Sequence, residues 1–397
     1  MTKSASSKLS IKIKQLINAS TLRGYPHQAQ PKAGVSRTVP CISFKDYMAR
    51  CLYDEEFGYY RSGRMRIGKE GDFYTSASAG DVMATAIASY IAEHEAKSGG
   101  YASLIEWGAG TGKLAAAIVR KLTIMTCSDF HESKRGKRPP YICVENHPAH
   151  AEAIRNAFVE AELDASALRI RRSAQMEIED EWPLDSQLIA NELLDAFPVH
   201  RICRYDGLLW ELGVACDEHN HLVYTRIPWN KNDEGMRQAL EESGLTLAEG
   251  QTTELCPDAG DWIRQLGKRM KQGRVLLIDY GHEAGEYGAE HRMNGTLLTY
   301  ARHQASDSPF EEPGRRDITA HVNFTAIRSA AASAGFRELY FDTQKQFLID
   351  NGILDQLREH DGRDPFGETA RSNRFIRQLL LSDGMSETFK VMILEKA

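Results

Sequence analysis

Acidic side chains stand where two apolar runs end. In "LIANELLDAFPVHR" (188–201) the run closes on Asn191-Glu192, Asp195 follows three residues later, and Pro198 comes next. Carboxylates at such a place can orient and polarise a bound nucleophile. If the segment turns helically, acids three apart share one face. Plain N-capping by Asn191 or Asp195 is the alternative. In "LIDYGH" (277–282) Asp279 closes a second run, with Tyr280 and His282 beside it. A histidine accepts protons near neutral pH. A hydrogen-bonded loop histidine is the plainer reading of His282.

A third stretch, "LIEWGAGTGKL" (104–114), sets Gly108, Gly110 and Gly112 at alternate positions after an apolar run. Such glycines allow a tight turn with positive φ and let a ligand lie against bare backbone. A dinucleotide fingerprint would need glycine at position 113, which is Lys113. The spacing G-x-G-x-G, with Glu106 two residues ahead, points instead to S-adenosylmethionine (SAM). In "YICVEN" (141–146) Glu145 ends the next apolar run, where an acid accepts hydrogen bonds from ribose hydroxyls. Asp72, Thr75 and Ser76 in "GDFYTS" are placed to close over the cofactor's amino-acid end. Phe57, Tyr59 and Tyr60 read equally as a pocket wall or as packing for the N-terminal segment.

Other chemistries find less support. "HPAH" (147–150) and "HNH" (219–221) lack a third ligand in a fixed frame, so surface histidines are expected rather than a metal. Seven scattered cysteines without C-x-x-C suit a reducing compartment and no disulfide framework. No G-x-S-x-G supports a hydrolase. A net charge of −6 gives no general attraction to nucleic acid or anionic membrane. No apolar run approaches the roughly 20 residues of a membrane helix. The basic run Lys134, Arg135, Lys137 and Arg138 reads as a solvated loop tip.

These residues need a frame. Apolar runs at 103–107, 141–145, 186–191 and 274–280 alternate with helical patterns at 111–122 and 147–162. That rhythm predicts an α/β fold with a doubly wound, mainly parallel sheet. Residues 201–228 alternate like an antiparallel ribbon, 229–272 read as helical and polar, and 388–396 as a last strand. The expected division is an N-terminal extension and helical segment at 1–75 and a core at 76–397, interrupted by an insertion at 201–272. Residues 1–45 carry eight Lys or Arg and no acid. A short basic helix near 7–18 and a cytoplasmic location are expected, with a transit peptide to the mitochondrial matrix as the alternative.

Seven stretches together resemble a known family: "ISFKDYMARCLYDEEFGYY" (42–60), "GDFYTS" (71–76), "EWGAGTGKL" (106–114), "NELLDAFPVHR" (191–201), "LIDYGH" (277–282), "GTLLTYARHQ" (295–304) and "DITAHVNFTAI" (317–327). Their order and spacing resemble the MidA-like SAM-dependent methyltransferases. Mitochondrial members of that family methylate an arginine on a respiratory complex I subunit during assembly. The resemblance implies a seven-stranded, Rossmann-like methyltransferase sheet whose last strand is antiparallel, with an inserted α+β region. It implies SAM contacts at Gly108, Gly110, Gly112 and Glu145, and a protein arginine as acceptor. For such an acceptor Glu192 is the first choice of orienting acid, with Asp195 second. The sequence departs from the family pattern at Ala77-Ser78, where Pro-Glu is usual, and at Asn323, where Asp is usual. A small-molecule methyltransferase and a non-catalytic SAM-binding assembly factor stand as alternatives. The large insertion favours a sizeable acceptor.

Overall fold

A computed structural model describes residues 3–26, 37–61, 77–127, 138–178, 182–289, 291–301, 304–359, 364, 367–381 and 385–397. The chain forms two compact units. The first takes in Met1–Arg64, Leu194–Arg264 and His282–Ala330, and the second Met65–Leu193, Gln265–Gly281 and Ala331–Ala397.

The second unit is built on strands β1 (Ser103–Trp107), β2 (Tyr141–Val144), β3 (Leu168–Arg171), β4 (Ser186–Asn191), β5 (Gly273–His282), β6 (Arg337–Thr343) and β7 (Phe389–Lys396). They run in the order β3-β2-β1-β4-β5-β7-β6. β1 to β5 are parallel neighbours, and β7 is antiparallel to both β5 and β6. β1 and β4 are buried over nearly their whole length, as a parallel strand covered on both faces should be. Helices α1 (Ala77–Ser98), α2 (Lys113–Cys127) and α3 (Pro148–Glu160) supply cover; Ile87, Ile118, Leu122, Ile154 and Phe158 join Leu104, Ile189 and Ile393 in one core. The strand order reverses beside β1, because β2 lies on one side of it and β4 on the other. In open α/β sheets, ligands bind outside the carboxyl ends of the strands at that switch point. The glycine stretch follows β1, Glu145 follows β2 and Glu192 follows β4.

The first unit holds the ribbon His200–Tyr205, Leu208–Cys216 and Leu222–Pro228, as the alternation predicts. Its edges are not what the sequence suggests. Thr252–Leu255, inside the stretch expected to be helical, pairs with His200–Cys203. Arg23–Pro26 pairs with Thr225 and Arg226, and Ile42–Ser43 pairs with Gly213 and Val214. The N-terminal segment and the ribbon therefore share one sheet, and their boundaries differ from the expected 1–75 and 201–272. The N-terminal helix runs Lys3–Ala19 and buries Leu9, Ile13 and Ile17 against Ile42, Phe44, Tyr47 and Val214.

Arg138 is no solvated tip. It forms a two-pronged ion pair with buried Glu95 at 2.5 and 2.7 Å. Lys134, Arg135 and Lys137 lie outside the described residues, as do Asp72, Thr75 and Ser76. None of the described helices is long and apolar enough to cross a membrane.

Candidate active site

Gly108, Gly110 and Gly112 all take positive φ, at +76°, +53° and +73°. The turn lies close on its surroundings: a Cβ on Gly112 would sit 2.8 Å from the Ile154 Cα in α3. The Gly108 N–H donates to the Val144 carbonyl at 3.0 Å, which joins the loop to β2. Glu145 completes the join. Its Oε2 accepts the Gly110 N–H at 3.2 Å, and its Oε1 accepts the Asn146 and His147 amides at 2.8 and 2.9 Å. His150 Nδ1 stands 3.3 Å from Oε2. Burial pushes the Glu145 pKa up, but the bonds from His150, His147 and Asn146 outweigh it and hold the carboxyl below its ordinary value. Glu145 stays ionised at neutral pH and braces the loop as well as offering an acceptor.

Glu106 keeps its place in β1 ahead of the glycines, but it is buried. It is 3% exposed, and Tyr141 Oη donates to its Oε2 at 2.9 Å. Burial raises its pKa from 4.5 to about 7, against the opposing Tyr141 bond. The folded state thus holds this proton more tightly than the unfolded chain. The group's contribution to stability is complete below about pH 4.5 and is lost as pH rises through about 7. Glu106→Gln cannot ionise. It should gain on the wild type by on the order of 3 kcal/mol between those limits. Melting temperatures of both proteins at pH 4.5 and pH 8 check this; a gap equal at both pH values refutes it.

At the end of β4, Asn191 pairs with Ile278 of β5. Glu192 then turns into the left-handed region, φ +49°. For an L residue this costs about 1–2 kcal/mol, so the surroundings must impose it. Asn191 Nδ2 donates to Glu192 Oε1 at 3.3 Å, and Glu192 remains partly exposed. Enclosure raises its pKa, opposed by the Asn191 bond. Asp279 does not end its strand as expected. It lies inside β5 opposite Lys390, because the strand continues to His282. It is 1% exposed, and its oxygens accept the Leu193 and Tyr280 amides at 3.1 and 2.9 Å.

Asp195 and His282 fall in the first unit. Asp195 is 7% exposed on the 3₁₀ turn Leu194–Ala196, and its carbonyl accepts the Ala320 amide at 3.0 Å. Because Glu192 is left-handed and outside that turn, the two acids do not share a helical face. Asp317, an acid not singled out from the sequence, acts with Asp195 on the same two phenols. It is 1% exposed and accepts the Tyr60 hydroxyl at 2.8 and 3.0 Å. Tyr53 stacks on Tyr60, centroids 5.6 Å apart, and donates to the Ala196 carbonyl. Burial first, then the charges of Asp317 and Asp195, push both phenols up. The signal available was an acid opening "DITAHVNF". Tyr59 is a core residue, and Phe57 lies under Lys12 of the N-terminal helix.

His282 Nε2 stands 2.9 Å from Arg292 Nη2. A guanidinium only donates, so Nε2 is the accepting nitrogen of this contact. His282 is thus a hydrogen-bonded residue at the end of β5. Asn323 Oδ1 accepts the Thr325 and Ala326 amides, and so caps the helix Phe324–Ser333. The exchange of Asp for Asn there keeps that acceptor. His147 Nδ1 caps α3, and His219 and His221 are exposed. Among the described residues no group of His, Cys, Asp and Glu is arranged to hold a metal, and six cysteines are free thiols.

Residues 85–341 match the family described as "Putative S-adenosyl-L-methionine-dependent methyltransferase". The chain belongs to this family. A structure from Burkholderia thailandensis with S-adenosyl-homocysteine (SAH) bound is similar at a TM-score of 0.80 and 29% identity, covering 99% of this chain and 92% of that one. A relative from Rattus norvegicus, "Protein arginine methyltransferase NDUFAF7, mitochondrial", is 27% identical over 342 residues, 80% of this chain and 72% of that protein. Its homologue from Drosophila melanogaster is 25% identical over 330 residues, 77% and 70% of the two chains. The protein is a SAM-dependent methyltransferase of the MidA-like group with a mixed α/β fold. The residues present fit the cofactor: three left-handed glycines make a tight strand-to-helix turn at the switch point, and an ionised Glu145 stands at the adjacent strand end.

Proposed function

We propose that this methyltransferase acts on an arginine side chain of a protein, with Glu192 as the carboxylate that receives the guanidinium. The observation that carries this reading is the state of Glu192: a carboxylate at the end of β4, left-handed, enclosed, yet partly exposed. Asp279, by contrast, is buried with its oxygens on backbone amides. SAM, when bound, supplies an activated methyl group on a sulfonium. Gly108, Gly110, Gly112 and Glu145 would hold it. A guanidinium remains protonated at any ordinary pH, so the enzyme must orient it and draw its charge to one side. An ionised Glu192 does both through hydrogen bonds to the planar group. Asp195 is the second acid in line, three residues along the chain.

The curated relatives support the acceptor class, since they are named protein arginine methyltransferases. The same names are mitochondrial, which supports the matrix alternative; the expected cytoplasmic location finds no support among them. The test is incubation of the protein with methyl-labelled SAM and a cell lysate, followed by hydrolysis of the labelled fraction. Label recovered as methylarginine from protein is the expected result. Label confined to small molecules overturns the reading.

A further inference from the structure

The bend that carries Glu192 is anchored on both sides within the second unit. The Glu192 N–H donates to the Ile278 carbonyl at 2.8 Å, one step beyond the Asn191–Ile278 pair of the β4–β5 ladder. The next amide has turned away with the positive φ, and no strand carbonyl receives it. Leu193 N–H donates instead to Asp279 Oδ2 at 3.1 Å. The other oxygen of that carboxylate accepts the Tyr280 N–H at 2.9 Å, which fixes its plane. The Leu193 side chain goes the other way. Its Cδ1 lies 2.9 Å from where a Cβ on Gly108 would stand, so it covers the bare face of the first glycine of the cofactor loop.

We infer that Leu193 and Asp279 are positioning residues: the Asp279 carboxylate and the Gly108 backbone grip Leu193 by its amide and its side chain, and so hold Glu192 in its left-handed turn. Neither is a catalytic residue in this arrangement. Both act through Glu192, so the importance of the inference rests on the reading of Glu192 as the acceptor-orienting acid. The contact of Leu193 on Gly108 also makes the cofactor loop and the Glu192 bend one mechanical piece. A substitution at Leu193 is therefore felt on both.

The experiment reads the surroundings of Glu192 directly and needs no acceptor. Protein carrying ¹³Cδ-labelled glutamate is saturated with SAH, and the Glu192 resonance is assigned by its loss in Glu192→Gln. Its titration midpoint is then followed in the wild type, Leu193→Ala and Leu193→Met. Burial leads in raising the midpoint. Loss of the grip exposes the carboxylate, so Leu193→Ala should move the midpoint down and weaken SAH binding, while Leu193→Met should restore both. Leu193→Val replaces the alanine variant if that one does not fold. Asp279→Asn should shift the midpoint in the same direction, but removal of a neighbouring negative charge does that on its own. The uncharged Leu193 pair therefore decides. A midpoint in Leu193→Ala, or in its valine substitute, equal to that of the wild type overturns the inference. Failure of the acceptor reading shows elsewhere, as normal turnover in Glu192→Gln.

Discussion

Glu192→Gln, at saturating SAM, methylates its acceptor slower than the wild type by about two powers of ten or more, the scale of other electrostatic catalytic groups. Its affinity for SAH barely changes. Glu145→Ala shows the reverse pattern. It loses about 1.5–3 kcal/mol of SAH binding, the usual worth of hydrogen bonds to a charged acceptor. The loss has two sources, because Glu145 also accepts the Gly110 amide that shapes the loop. Calorimetry with SAH alone, followed by turnover at saturating SAM, separates the two effects. A pH profile adds a third reading. Enclosure raises the Glu192 pKa, so the carboxylate form gains over the acid through a midpoint above the ordinary glutamate value. Wild-type rate should rise with pH across that midpoint, and the glutamine variant should lack that limb. Normal turnover in Glu192→Gln would reject the assignment and direct attention to Asp195, with Asp317 and its two tyrosines.

Gly112→Ala abolishes measurable SAH binding and lowers the melting temperature. The added methyl meets the Ile154 Cα at 2.8 Å and Cγ1 at 2.9 Å, and backbone in a packed helix has little room to yield. The residue must also keep φ +73°, at about 1–2 kcal/mol for an L side chain. Gly99→Ala is the control. It has φ +77° but no atom within 4 Å of its added Cβ. The control should pay the dihedral cost and bind SAH normally. Equal loss of binding in both variants would show that the close fit of Gly112 on α3 is not what the cofactor loop requires.

Both predictions draw on parts of the molecule that a local reading reached. β1, β4 and β5 are runs of apolar residues long enough to stand out, and the glycine turn and its helix follow directly. What escaped was set by partners distant in sequence. The strand Leu168–Arg171 is "LRIR", four residues too short for their alternation to stand out from the surrounding polar sequence. Thr252–Leu255 is polar at three of its four positions and becomes a strand by pairing with His200–Cys203. Asp279 shows the same limit at the site. Its type and its place after an apolar run suggest chemistry, whereas its role depends on where the Leu193 amide comes to lie. The left-handed turn at Glu192 is equally unreadable, since glutamate has no preference for it and packing must impose it.

The sheet of the first unit has a consequence for how the chain is made. Thr225 Oγ1 donates to the Tyr25 carbonyl across 200 positions, and the same strands pair Tyr25 with Arg226. During synthesis at about 5–20 residues per second, the early segment waits roughly 10–40 s for its partner. Through that interval Ile13, Ile17, Phe44 and Tyr47 have no completed sheet to cover them. Contacts of such long range are slow to form even once all the parts exist, because a large loop must close first. Nascent chains stalled between residues 60 and 200 should therefore present a sticky N-terminal segment, and a holdase chaperone acting on that segment during translation would raise the yield of folded enzyme.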